Sequence, residues 1–117
     1  MTADPAPTLR PMYQSISPLD LSRRLAEGSA LILLDVREPE ELEICRIQGA
    51  VHIPLGDLAR RASELDSDAT IVCICHHGRR SAMAAGLLAQ ADFKKLVNLT
   101  GGIDAWAEDM DPQMARY

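Results

Sequence analysis

The sequence predicts a single α/β domain in which a mostly parallel sheet is flanked by helices on both faces. Short apolar segments alternate with helical patterns along the chain, as repeated strand–helix units require. The apolar segments are continuous rather than alternating, which is typical of strands covered on both sides. The 117 residues, of which 47% are hydrophobic and 25% charged, are enough for one packed core.

Strands and helices are expected to alternate along the whole domain. The clearest strands are the apolar runs at residues 30–34 and 69–74, and the short strand at 50–53 is closed by Pro54. The strands are predicted at residues 13–16, 30–34, 50–53, 69–74 and 96–99. The helices are predicted at residues 18–28, 39–45, 55–65, 81–91 and 103–110.

Several helices carry recognisable start or stop signals. Ser17 followed by Pro18 is typical of an N-cap and a first helical position, and Gly28 ends that helix. Pro39 predicts the start of the second helix in the same way. The alanine-rich pattern that opens at Ser81 is expected to turn three apolar side chains toward the core, namely Met83, Leu87 and Leu88.

The composition also indicates the expected cellular location of the chain and argues against nucleic acid as a ligand. Residues 1–11 are rich in proline and small residues, so we expect a flexible segment there and a domain at residues 12–117. We expect neither a signal peptide nor a membrane-spanning run. Three cysteines in such a chain predict free thiols in a reducing compartment, and the cytoplasm is the expected location. The net charge of −5 argues against nucleic-acid binding.

The segment CHHGRRS is the strongest chemical signal in the chain. An apolar strand ends at Cys75, Gly78 follows in a short turn, and a helix opens at Ser81. This order places the thiol before backbone N–H groups and the positive end of a helix dipole. Arg79 and Arg80 add positive charge, and all of these features favour a thiolate. We therefore expect a nucleophilic sulfur at Cys75.

Four segments stand out together, namely DVREPEE at residues 35–41, GAVHIPL at 49–55, CHHGRRS at 75–81 and NLTGGIDAW at 98–106. In their order and spacing they resemble the rhodanese domain family. The resemblance implies a five-stranded sheet flanked by helices, with a catalytic cysteine, Cys75, in a six-residue loop that ends at Arg80. It also implies a structural ion pair between Asp35 and Arg37. Gly101 and Gly102 are most simply a turn.

The implied activity is that of a sulfurtransferase of the thiosulfate sulfurtransferase type, with no cofactor. Cys75 takes a sulfane sulfur from thiosulfate or another small anionic or persulfide donor and becomes a persulfide. The outer sulfur then passes to a thiophilic acceptor such as cyanide, a thiol or a protein thiol. The expected substrate-binding residues are those that follow Cys75 in the loop and at the helix start, namely His76, His77, Gly78, Arg79, Arg80 and Ser81.

Two other functions stay open at this point. A sulfur carrier or partner-binding rhodanese module that does not turn over looks identical in sequence. Phosphatases and arsenate reductases of the same fold carry a longer loop that ends in arginine six positions after the cysteine. Here that position is Ser81, which favours sulfur over the larger phosphoryl group.

The remaining cysteines and the histidines are expected to have no catalytic or metal-binding role. Cys73 faces the same side of its strand as Cys75 and is expected to pack in the core, because Cys-x-Cys in a strand is poor disulfide geometry. Cys45 is expected to be a half-buried helix residue, with a resolving thiol as the alternative. We expect no metal at His76 and His77, because adjacent side chains diverge and no second ligand cluster is evident.

Overall fold

The computed structural model describes residues 12–117, so the segment expected to be flexible, residues 1–11, lies outside the described residues. The described chain forms one five-stranded sheet in which every pair of neighbouring strands is parallel. The strand order is β1-β5-β4-β2-β3. The strands are β1 (Gln14–Ile16), β2 (Leu31–Asp35), β3 (Val51–His52), β4 (Thr70–Ile74) and β5 (Lys95–Leu99).

The strands alternate with five α-helices, as the sequence predicts. The helices are α1 (Pro18–Ala26), α2 (Pro39–Ile44), α3 (Leu55–Arg61), α4 (Arg79–Gln90) and α5 (Gly102–Asp109). The predicted third helix is shorter than expected, because its last turn tightens into a 3₁₀ helix at Ala62–Glu64. No helix among the described residues is both long and apolar enough to cross a membrane.

Local signals in the sequence explain where the first two helices begin. The Ser17 side chain accepts a hydrogen bond from the Asp20 backbone N–H at 3.1 Å, which confirms the predicted N-cap. Helix α2 begins with a capping box in which Glu38 and Glu41 each accept from the other's backbone N–H. Glu41 is therefore held in a fixed place at the start of α2.

The central strand β4 has a hydrophobic core on each side, which confirms the predicted arrangement of helices on both faces. Ile71 and Cys73 pack with Leu58 of α3 and with an apolar face of α4. Val72 and Ile74 point to the opposite side, where α1 and α5 supply Leu21 and Ile103. Cys73 is completely buried, as expected. The alternation along β4 also sets the direction of the next residue on the α4 side, Cys75.

Helix α4 differs from the prediction in its start and in its buried face. It begins at Arg79, two residues before the predicted start, because Gly78 adopts the left-handed conformation (φ 106°) and forms the N-cap. The buried face consists of Ser81, Ala84, Ala85 and Leu88, which follow the helical spacing i, i+3, i+4, i+7. The prediction that Met83 faces the core is wrong, since it lies off this face and is 61% exposed. Leu87 is only partly buried.

The N-terminus of α5 packs directly against the chain that leaves β4. The Ile103 N–H donates to the Cys75 carbonyl at 2.8 Å, and the Asp104 N–H donates to the His76 carbonyl at 3.1 Å. Gly102 is the first residue of α5 rather than part of the predicted turn, and its φ is +65°. A Cβ at Gly102 would overlap the backbone oxygens of both Cys75 and His76. This close approach requires glycine.

The substitution Gly102→Ala is expected to lower the free energy of unfolding by at least about 2 kcal/mol, because the new methyl group collides with backbone and the φ angle is unfavourable. Urea unfolding measures this loss. The matched control is Gly86→Ala within α4, where a Cβ meets nothing within 4 Å. The control is expected to be neutral or to gain up to about 1 kcal/mol. Equal unfolding midpoints for Gly102→Ala and the natural chain would contradict the steric argument.

Candidate active site

The Cys75 sulfur lies at the carboxyl end of β4, between the sheet and the start of α4. Its Sγ atom accepts a hydrogen bond from the Gly78 backbone N–H at 3.0 Å. The Ser81 hydroxyl oxygen lies 3.2 Å from the same sulfur. Cys75 is only 1% exposed. The left-handed turn at Gly78 directs its N–H back toward the sulfur.

Helix α4 supplies the electrostatic environment of the sulfur. The helix contains twelve residues and starts one residue after the N–H group that contacts Cys75. Its unpaired N–H groups and its dipole place partial positive charge at this end. The start of α4 therefore favours negative charge near the sulfur.

A short polar network lies behind the sulfur. The Ser81 hydroxyl donates a short hydrogen bond to Asn98 Oδ1, and Asn98 Nδ2 donates to the Gly78 carbonyl at 3.1 Å. Ser81 is 0% and Asn98 9% exposed. Asn98 belongs to β5 and pairs with Cys73 in the sheet register. The network therefore fixes the loop to the neighbouring strand.

The two loop arginines differ in their surroundings. Arg80 forms two hydrogen bonds with the Glu41 carboxylate, at 2.7 Å and 2.8 Å. These bonds are the main reason that the pKa of Glu41 falls to about 2. Arg79 is exposed and forms no ion pair with any residue from 12 to 117. Arg79 is thus the loop cation whose charge is not already neutralised.

The expected ion pair between Asp35 and Arg37 is confirmed, and it is fully buried. Arg37 Nη2 lies 2.7 Å from Asp35 Oδ2, and the exposed fractions of the two side chains are 0% and 1%. Arg37 also donates to the backbone oxygens of Glu41 at 3.3 Å and Cys45 at 2.8 Å. The pair therefore ties the end of β2 to the middle and the C-cap of α2.

Comparison with known proteins identifies the family. Residues 17–109 match the family described as rhodanese-like domain. The chain belongs to this family. The resemblance seen in the sequence and the implied fold are therefore confirmed. The structure also superposes on that of a rhodanese-related protein from Thermoplasma volcanium with a TM-score of 0.76 and 37% identity, covering 84% of this chain and 94% of that one.

Two curated relatives of this rhodanese domain have names that refer to sulfur transfer. "Putative sulfur carrier protein YrkF" of Bacillus subtilis is 45% identical over 84 residues, which is 72% of this chain. This chain spans only 45% of the length of YrkF. "Thiosulfate sulfurtransferase GlpE" of Pseudomonas aeruginosa is 33% identical over 94 residues, covering 80% of this chain and 84% of GlpE.

Tyr117 is a neighbour of the rhodanese loop that the sequence did not indicate. Its hydroxyl donates to Glu41 Oε1 at 2.7 Å and accepts from Arg37 Nη1 at 3.0 Å. Its ring stacks on that of His76 with centroids 3.9 Å apart, and its backbone oxygen lies 2.7 Å from His76 Nε2. Helix α2, the loop and the end of the described chain therefore meet at this one side chain.

The two histidines of the loop do not diverge as expected. The ring centroids of His76 and His77 are 3.8 Å apart. Both rings lie near Asp104, and one nitrogen of each ring and one carboxylate oxygen of Asp104 lie within 4.8 Å of one another. Both Asp104 oxygens accept from Arg116, at 3.0 Å and 3.1 Å. This ion pair already neutralises the carboxylate charge that a metal would need. The absence of a metal site here stays a prediction.

The other two cysteines have surroundings unlike that of Cys75. All three are free thiols. Burial is the main reason that the pKa of Cys73 rises to about 12, so its thiol stays protonated at neutral pH. Cys45 is the C-cap that follows α2, is half-buried as expected, and has its sulfur 3.9 Å from Arg37 Nη1. A resolving thiol at Cys45 stays the alternative prediction.

The dependence of the free energy of unfolding on acidic pH is expected to reveal the pairing of Glu41 with Arg80. The pKa of Glu41 lies at about 2 in the fold, below its ordinary 4.5. The stabilisation is therefore complete above about pH 4.5 and is lost as the pH falls toward 2. The variant Glu41→Gln is expected to lose about 1 kcal/mol of stability near neutral pH, and the loss should vanish in acid.

Chemical unfolding of the natural chain and Glu41→Gln across this pH range measures the effect. The matched control is Glu43→Gln on the exposed side of the same helix. A stability loss in Glu41→Gln that is the same at acidic and neutral pH would contradict the ion-pair explanation.

Proposed function

We propose that the chain is a sulfurtransferase in which Cys75 carries the transferred sulfur as a persulfide. The single observation that supports this most strongly is the hydrogen bond from the Gly78 N–H to Cys75 Sγ at the N-terminus of α4. The names of YrkF and GlpE point to the same chemistry. With thiosulfate as donor, the proposed reaction has two steps.

In the first step, the Cys75 thiolate attacks the outer sulfur of thiosulfate. The sulfur–sulfur bond of the donor breaks, and sulfite leaves with the bonding electron pair. The product is a persulfide anion on Cys75, in which the outer sulfur carries the negative charge. The Gly78 N–H and the positive end of α4 stabilise anionic sulfur in this region.

In the second step, a nucleophile such as cyanide or a thiolate attacks the outer sulfur. The bond between the two sulfurs breaks, thiocyanate or a new persulfide leaves, and the electron pair returns to Cys75 as a thiolate. No net oxidation occurs over the cycle, so no cofactor is needed. The loop residues expected to contact the donor or acceptor are His76, His77, Gly78, Arg79, Arg80 and Ser81.

Arg79 is the proposed contact for an anionic donor, because the charge of Arg80 is already paired with Glu41. Arg79→Ala is expected to raise KM for thiosulfate about tenfold, which corresponds to one lost charge-assisted hydrogen bond. It should change KM for a neutral persulfide donor much less. Steady-state kinetics with both donors measure the difference. Lys95→Ala, at the opposite end of β5, is the charge control, and an unchanged KM in Arg79→Ala would place the donor elsewhere.

The identity of the sulfur-carrying thiol gives the central experiment. Incubation with thiosulfate should add one sulfur atom to the Cys75 peptide, detected by mass spectrometry and removed by cyanide. Cys75→Ser should lose both the adduct and turnover, because a serine hydroxyl is a far weaker nucleophile and cannot form a persulfide.

Cys73→Ser and Cys45→Ser are the matched controls for this experiment. Both should keep the adduct on Cys75, and Cys73→Ser should cost more stability because its thiol is fully buried. An adduct on either of these residues, or turnover by Cys75→Ser, would contradict the proposed function. If Cys45→Ser forms the adduct but stops after one turnover, Cys45 is a resolving thiol.

A sulfur carrier without turnover is the second candidate, and the name of YrkF favours it. A carrier would accept one sulfur from a donor protein and deliver it to a protein thiol, with little release to free cyanide. Comparing the rate of the first adduct with the steady-state rate separates the two candidates. A phosphatase is disfavoured, since the residue six positions after Cys75 is Ser81, which is buried and bonded to Asn98.

A further inference from the structure

Four residues form a closed ring of hydrogen bonds around the candidate nucleophile. The Gly78 N–H donates to Cys75 Sγ, and the Gly78 carbonyl accepts from Asn98 Nδ2. Asn98 Oδ1 accepts from the Ser81 hydroxyl, whose oxygen lies 3.2 Å from Cys75 Sγ. Every buried side-chain nitrogen and oxygen among the described residues has a partner. The position of each proton in the ring can therefore be assigned.

The orientation of the Asn98 amide is fixed by its two neighbours. The Gly78 carbonyl can only accept, so the NH₂ group must face it, 3.1 Å away. The amide oxygen must then face Ser81, and this oxygen can also only accept. The single hydroxyl proton of Ser81 therefore points at Asn98 and away from the sulfur.

This assignment makes Ser81 an acceptor toward Cys75. A protonated Cys75 donates its S–H to the Ser81 oxygen, and the ring is complete. A Cys75 thiolate has no proton to donate, so two arrangements are open to it. If Ser81 stays bonded to Asn98, the thiolate faces the lone pairs of the Ser81 oxygen at 3.2 Å. If Ser81 turns its hydroxyl to the sulfur, Asn98 Oδ1 loses its partner in a site that is only 9% exposed. Both arrangements are unfavourable.

We propose that Asn98 is a positioning residue that keeps the Ser81 hydroxyl proton away from Cys75 and so opposes formation of the thiolate. This role rests on the proposed function of Cys75, and it concerns how readily the Cys75 thiol ionises. In the persulfide state the inner sulfur is neutral and Ser81 can stay bonded to Asn98. The network thus disfavours the free thiolate relative to the loaded enzyme, which makes the thiolate a stronger attacking group and the persulfide a longer-lived one.

The test is the pH dependence of alkylation of Cys75 by iodoacetamide, followed by mass spectrometry of the Cys75 peptide. Asn98→Leu removes the acceptor and frees the Ser81 proton for the thiolate. The pH of half-maximal alkylation should fall by about one unit. Asn98→Asp keeps an acceptor toward Ser81 and adds negative charge, so this midpoint should rise. Asn98→Ala is the substitute for Asn98→Leu if the leucine variant does not fold.

A double-mutant comparison separates this role from a general loosening of the loop. In a Ser81→Ala background there is no hydroxyl to redirect, so adding Asn98→Leu should leave the midpoint unchanged. A persistent shift in that background would overturn the proposal. So would shifts in the same direction for Asn98→Leu and Asn98→Asp.

The alkylation series does not depend on sulfur transfer. If the natural chain gives no persulfide with thiosulfate while the midpoints shift as expected, the proposed function fails and the role of Asn98 in controlling the thiol stands. If the persulfide forms and the midpoints do not move, the proposed function stands and the role of Asn98 fails.

Discussion

The buried pair of Asp35 and Arg37 is the interaction on which the candidate site depends. A guanidinium with no exposed surface is tolerated only when its charge and its N–H groups are satisfied. Arg37 meets this requirement with Asp35, with two backbone oxygens of α2 and its C-cap, and with the Tyr117 hydroxyl. The position of α2 relative to the sheet is thereby fixed, and Glu41 on α2 is held where it can bind Arg80. The positions of the charged groups at the loop thus depend on a charge pair that does not contact the sulfur.

The same arrangement distinguishes the two loop arginines, since it pairs the charge of one and leaves the other exposed. Glu41 accepts two hydrogen bonds from Arg80, and it also accepts from the Tyr117 hydroxyl and the Glu38 N–H. Arg80 is consequently a fixed structural cation at the start of α4. Arg79 projects into solvent with its charge available. Adjacent residues of the same type therefore have different surroundings, because among the described residues only Arg80 of the two meets a carboxylate.

The sequence predicted the features that short-range patterns encode. Apolar runs located most of the strands, and Gly78 marked the turn beside Cys75. The predicted start of α4 was wrong because the N-cap precedes Ser81. The predicted burial of Met83 was wrong because the small residues Ala84 and Ala85 take the buried face of α4. The contacts of Asn98, Glu41 and Tyr117 could not be predicted in this way. They join residues 17, 39 and 80 positions apart, and no periodicity relates such distant side chains. Asn98 was visible only as part of a family-like segment, and nothing in the sequence distinguished Tyr117.

The close approach of α5 to the loop orients the peptide dipoles of the loop. Every peptide group has a positive and a negative end, and a loop that cradles an anion must turn the negative ends elsewhere. The carbonyls of Cys75 and His76 are drawn backward onto the first N–H groups of α5. The absence of a side chain at Gly102 lets the helix come near enough to hold them. One helix therefore removes partial negative charge from the rear of the loop while another supplies partial positive charge at its front.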